Sequence, residues 1–164
     1  PLAHWNDYER RIAGWVDEAV GAGAGLLLFP EYFAMELASL FGPEVPLSLP
    51  RQLSAMQELL PGFLALFARL ARTRGACIVA GSYPVRLADG SYRNRCHLFH
   101  PDGRCVFQDK LQMTRFETEE RHIGAGDALS QAALPRAARV SARRCSSGVR
   151  RSKPEKLTAS GSVR

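Results

Sequence analysis

No aromatic residue follows Phe116, although fourteen stand at or before it. Acids become scarce after Asp127. From Arg136 onward nine Lys/Arg (Arg136, Arg139, Arg143, Arg144, Arg150, Arg151, Lys153, Lys156, Arg164) face one acid, Glu155. That stretch carries +8, so the net charge of +6 leaves −2 for residues 1–135. The basic character therefore belongs to the end of the chain and not to its body. A segment without aromatics and with charge of one sign cannot bury enough apolar surface to offset the entropy of ordering it. Residues 130–164 are accordingly expected to form a disordered basic tail, and residues 1–129 a folded unit. The tail reads either as an arm for nucleic acid or an acidic membrane surface, or as coding sequence whose reading frame has been lost. The second reading is preferred, because no aromatic interleaves the arginines as a single-strand binding platform requires.

Other absences narrow the function further. No apolar run approaches the length of a membrane span and no secretory leader is present, so a cytoplasmic protein without a membrane partner is expected. His4, His97, His100 and His122 share no metal-ligand spacing, and no metal is expected. The glycines of Gly21-Ala22-Gly23-Ala24-Gly25 follow a helical pattern and precede a strand, the reverse of the order that cradles a phosphate. No cofactor is therefore expected. The chain opens on Pro1 instead of Met, which suggests that its start is missing. Its 164 residues suffice for one domain with a core, not two.

What is present reads as an α/β chain. Trp5, Tyr8, Ile12, Trp15, Val16 and Ala19 recur at helical spacing and predict an amphipathic helix whose aromatic stripe is core. Leu26-Leu27-Leu28-Phe29 is a short buried strand, and Met35–Phe41 a short helix followed by loop to Pro50. Apolar positions from Gln52 to Arg74 again follow helical spacing, with a break expected at Pro61-Gly62. Gly75 ends that helix, a strand runs to Gly81, and Ser82 to Gly90 reads as loop. Residues 94–107 alternate polar and apolar around Pro101-Asp102-Gly103, the pattern of a hairpin.

Two places carry chemistry. In Phe29-Pro30-Glu31-Tyr32-Phe33, proline ends a strand and a carboxylate follows at once among three rings. Such a carboxylate is expected to be poorly hydrated, which suits a general base. Alone, Glu31 would more often be an acid in the first turn of a helix. The second place is Asp109-Lys110-Leu111-Gln112-Met113-Thr114-Arg115-Phe116-Glu117, directly after the hairpin. A lysine at a strand end is ordinarily a solvated charge, but here Glu117 follows it by seven positions.

The order strand-Pro-Glu, helix, strand, hairpin, Lys, Glu resembles the nitrilase or carbon–nitrogen hydrolase superfamily. The motifs F-P-E-Y-F and D-K-L-Q-M-T-R-F-E carry the resemblance, with Tyr92-Arg93-Asn94 and the Pro101-Asp102-Gly103 turn. It covers roughly residues 1–129 and implies part of a four-layer αββα sandwich. It also implies hydrolysis of a small amide or nitrile through a cysteine thioester. On this resemblance Glu31 is the general base, Lys110 stabilises the charge developing on the substrate, and Glu117 holds the lysine and positions the substrate. Tyr32 is a candidate substrate contact, and association of several copies of the chain is left open. Two carboxylates beside one ammonium also make physical sense, since they keep the lysine charged.

The nucleophile is the difficulty. Cys77 sits in a buried-strand pattern, and Cys96 and Cys105 lie on opposite arms of the hairpin and precede the lysine. A disulfide between those two is disfavoured in a cytosolic protein. Cys145 lies at the family's distance, but Val140-Ser141-Ala142-Arg143-Arg144 does not read as an apolar strand and no aromatic-acidic turn follows. The chain as it stands is therefore expected to show little or no amide hydrolysis. The alternatives are a non-catalytic remnant of the family and a basic-tailed binding protein.

Overall fold

The computed structural model describes residues 2–115, 117, 123–130 and, for the backbone, 140–142. Helix α1, Trp5–Gly21, buries Tyr8, Ile12, Val16 and Ala19 at the predicted spacing. Strand β1, Leu26–Leu28, follows, and then a 3-10 helix over Phe33–Phe41. Helices α2, Leu49–Met56, and α3, Leu60–Arg74, come next. Strand β2 is Cys77–Arg86, β3 is Tyr92–Phe99 and β4 is Cys105–Asp109. Two short strands complete the set, β5 at Ile123–Gly124 and β6 at Val140–Ala142.

The strands form one mixed sheet in the order β4-β3-β2-β1-β6, with β5 pairing β3 beyond the end of β4. β1 is parallel to both neighbours, β2 and β6, while β2–β3 and β3–β4 are antiparallel hairpin pairs. Helices α1 and α3 cover one face. Their Tyr8, Ile12, Phe63 and Phe67 pack with Leu27, Phe29, Ile78 and Phe99 of the sheet in one core cluster. Aromatic contacts tie this core together, with ring centroids 4.8 Å apart for Phe29–Phe33 and 5.3 Å for the edge-on Phe29–Phe67 pair. The opposite face carries a smaller cluster of Leu26, Cys77 and Leu98, flanked by half-buried Val79 and Val106.

Three expectations are corrected. The break between the two middle helices falls at residues 57–59, and Pro61 lies inside the first turn of α3. Proline is tolerated there because the first N–H groups of a helix have no intrahelical partner. Strand β2 does not stop at Gly81 but continues to Arg86, pairing with Tyr92–Cys96 past a register shift between Val79 and Ser82. Pro84 is compatible with a strand here because β1 has already ended at Leu28, which leaves β2 an edge at that point. Finally, 140–142 is a strand and not part of a structureless tail. β1 offers an edge of unpaired N–H and C=O groups, and a three-residue ladder satisfies them whatever side chains the added strand bears. The remaining tail positions, 131–139 and 143–164, lie outside the described residues, and with them Cys145.

Cys96 and Cys105 are not opposite each other in the hairpin. Cys96 faces Gln108 and Cys105 faces Phe99, and both are free thiols.

Candidate active site

Glu31 is positioned by the way β1 ends. Phe29 still donates its N–H to Val79 (2.9 Å), Pro30 then removes a donor, and Tyr32 turns into the left-handed region at φ +54°. The Tyr32 N–H donates to Ser82 Oγ at 2.8 Å. Lys110 leaves β4 on the neighbouring side. Its N–H donates to the Asn94 carbonyl (2.9 Å), and its own carbonyl accepts from Gly126 (2.8 Å). Glycine is required at 126, because a Cβ there would come within 2.7 Å of the Asp109 Cβ. Arg95 fixes the residue before the lysine with a two-pronged bond to Asp109 at 2.7 and 2.9 Å.

These elements bring Glu31, Lys110 and Glu117 together. The Lys110 ammonium lies 2.9 Å from Glu31 Oε1 and 2.8 Å from Glu117 Oε2. Glu117 is buried and accepts further bonds from the Thr114 N–H and hydroxyl, each 2.8 Å, and from the Tyr32 hydroxyl. Burial opposes its charge, yet Lys110, Tyr32 and Thr114 together outweigh that and bring its pKa down to about 2. Lys110 moves the other way: its bond to Glu117 raises its pKa against the cost of desolvation, and Glu31 adds to the rise. The pair is thus a fixed ammonium–carboxylate unit at neutral pH.

Glu31 differs from expectation. Its carboxylate is 53% exposed and therefore hydrated. The rings around it in sequence turn elsewhere: Phe29 and Phe33 enter the core beside Trp15, and Tyr32 reaches to Glu117. Tyr32, read as a substrate contact, thus has its hydroxyl engaged with Glu117.

Asn94 was missed as a site residue. It is buried on β3, and its Nδ2 donates to Glu31 Oε1 at 2.8 Å, with Glu117 Oε1 at 3.5 Å. Its Oδ1 has no partner among the described residues. The available signal was an asparagine inside a strand pattern, a position the residue type disfavours unless its side chain has work to do. A surface hollow lined by Gln57, Leu60, Pro61, Arg86 and Gly90 contains none of these groups.

No described thiol is activated. Burial raises the pKa of Cys77, of Cys105 and of Cys96, and for Cys96 the Glu31 charge adds to the rise. Cys77 instead lies against His100 Nδ1 (3.6 Å), far along β2 from the cluster. Among the described residues no group of His, Cys, Asp and Glu is arranged to hold a metal, and no helix is long and apolar enough to cross a membrane.

Solved structures share this architecture. A carbon–nitrogen hydrolase from Helicobacter pylori G27 superposes with a TM-score of 0.56 at 18% identity, over 74% of this chain and 40% of its own. An amidase from Nesterenkonia sp. AN1 gives 0.54 at 22%, over 73% and 45%. This chain has the carbon–nitrogen hydrolase fold. Saccharomyces cerevisiae Nit3, of the nitrilase superfamily, gives 0.51 at 17%, over 73% and 42%. In sequence the chain is 28% identical over 123 residues to a curated Bacillus subtilis (strain 168) protein, "Probable hydrolase YhcX", covering 75% of this chain and 23% of that one. No protein-family profile matches the chain. The chain thus spans less than half the length of each of these relatives.

Proposed function

We propose that residues 1–129 carry the glutamate–lysine part of a carbon–nitrogen hydrolase site for a small amide or nitrile. The carrying observation is the Lys110 ammonium held between Glu31 and Glu117. In this reading Glu117, buried and fully bonded, does not exchange protons during turnover. It keeps Lys110 charged and fixed, so that the ammonium meets the oxygen or nitrogen on which negative charge develops. Glu31, exposed and held by Asn94 and Lys110, is the carboxylate free to take a proton from a nucleophile and return it to the leaving amine. The fold similarity supports this assignment, and in the Nesterenkonia amidase acrylamide is described as added at an active-site cysteine.

A second reading concerns the nucleophile, and β6 favours it. β6 runs parallel to β1 with Leu28 paired to Ala142. Glu31 follows Leu28 by three positions in the sequence, and Cys145 follows Ala142 by three. The expectation of an inactive chain rested on the lack of an apolar strand before Cys145 and of an aromatic-acidic turn after it; β6 supplies a strand there, though its Val140-Ser141-Ala142 is not an apolar run.

Two measurements test the readings separately. Titrating the chain with acetamide, propionamide and acrylamide should shift NMR signals of Glu31, Asn94 and Lys110, and Lys110→Ala should abolish the shifts. Shifts confined to other surfaces would refute the site. Turnover of the same amides that disappears in Cys145→Ala would establish the second reading. Background rates in both proteins would leave a binding site without its nucleophile.

A further inference from the structure

We propose that Ser82 is a positioning residue of this site: its hydroxyl holds Tyr32 in a left-handed backbone conformation and so delivers the Tyr32 phenol to Glu117. The functional meaning of that arrangement rests on the hydrolase reading above.

Among the described residues Tyr32 is the one non-glycine with positive φ. A residue with a bulky side chain occupies that region only where its surroundings over-determine it. Here both ends of Tyr32 are held. Its backbone N–H donates to Ser82 Oγ at 2.8 Å, and its hydroxyl donates to Glu117 Oε1. Glu117 is buried, so the phenol is directed inward and not toward solvent.

The partner strand is shaped for this contact. The β2–β3 register shifts between Val79 and Ser82, at the level where β1 has ended. Gly81, at φ +75°, lies in that irregularity, and a Cβ on it would collide with the Pro30 carbonyl and come within 2.9 Å of the Phe33 Cβ. The backbone at Gly81 can therefore lie directly beneath the Pro30–Phe33 turn. Ser82, buried at 5% exposure, then presents its oxygen to an N–H that the β1 ladder no longer serves. Without that acceptor the Tyr32 N–H loses the bond that offsets its backbone strain. The residue relaxes toward negative φ, and the phenol leaves Glu117. Glu31, the adjacent residue, shifts relative to Lys110 at the same time.

The effect is read at Glu117, with no turnover required. Carboxyl carbons of the glutamates are followed by NMR between pH 2 and 7 in wild type, Ser82→Ala, Tyr32→Phe and the double variant. Ser82→Ala should raise the Glu117 midpoint by about one pH unit, because the ionised carboxylate loses one donor. Tyr32→Phe should raise it by a similar amount. The double variant should titrate like Tyr32→Phe alone. An unchanged midpoint in Ser82→Ala overturns the proposal, as does an equal additional rise in the Tyr32→Phe background. Should Ser82→Ala fail to fold, Ser82→Cys, close in size and a weaker acceptor, carries the same comparison with a smaller rise and the same two refuting outcomes. A chain that binds no amide yet shows this coupling would refute the hydrolase reading and leave the role of Ser82 intact. The converse result would remove Ser82 alone.

Discussion

Glu117→Gln preserves the size of the side chain that Lys110, Tyr32 and Thr114 surround, but removes its charge and its titration. The folded chain brings the Glu117 carboxyl down from an ordinary 4.5 to about 2. The ionised form is thus favoured by folding, and the stability it contributes is fully present above pH 4.5. It is lost as the pH falls through the folded value. The difference corresponds to about 3 kcal/mol, a large fraction of the 5–15 kcal/mol typical of a domain. Asp7 and Asp17, whose pKa values are lowered by Arg10 and by Arg74, also titrate in acid. They are common to both proteins and cancel in the comparison. Urea unfolding of wild type and Glu117→Gln at several pH values between 7 and 2 gives the two stability curves. Wild type should lose about 3 kcal/mol more than the variant across this range. At pH 7 the variant should already be weaker, though Lys110 keeps Glu31 as a partner. Parallel curves would refute the reasoning, because they would mean that Glu117 is no more easily ionised in the folded chain than in the unfolded one.

Further outcomes follow from the same geometry. Gly81→Ala should destabilise by about 2–4 kcal/mol, since it combines a positive φ with a collision against the Pro30 carbonyl; a loss below 1 kcal/mol on urea unfolding would contradict the tight turn. Asn94→Ala removes the donor shared by Glu31 and Glu117 and should cost about 1–2 kcal/mol by the same assay, with no loss speaking against the bridging role. Raising the pH should remove the Lys110 contribution only above its ordinary 10.5, because its pKa is raised in the folded chain; in Glu117→Gln, which lacks the main cause of that rise, the alkaline loss should be smaller and complete at lower pH. Brief treatment with iodoacetamide at pH 7, followed by mass mapping, should leave Cys77 and Cys96 unmodified, because burial raises both thiols, while the exposed Cys105 is labelled ahead of them; rapid labelling of Cys96 would overturn this account of its surroundings.

Local pattern and turn chemistry determined much of this protein. The apolar spacing of α1 and α3, the Leu26–Leu28 strand and the Pro101-Asp102-Gly103 hairpin were all legible, because each depends on residues within one turn or one strand pair. Glu31, Lys110 and Glu117 could be singled out from strand-end placement and motif order. Their mutual distances could not, because 79 positions separate Glu31 from Lys110 and only the β1-β2-β3-β4 order brings them together.

Only the tertiary structure decided which carboxylate is buried. The aromatic neighbours of Glu31 suggested that it would be, but Phe29 and Phe33 belong to the core face and leave Glu31 in water, while Glu117 is enclosed by groups from three separate segments. Asn94 owes its place at the site to the β2–β3 register, and Ser82 its contact with Tyr32 to an irregularity in the same pair. β6 follows from an open strand edge and not from its own side chains. The sequence carries the periodicity that forms each element, whereas burial, charge pairing and edge pairing are properties of elements already assembled, and no window of adjacent residues contains them.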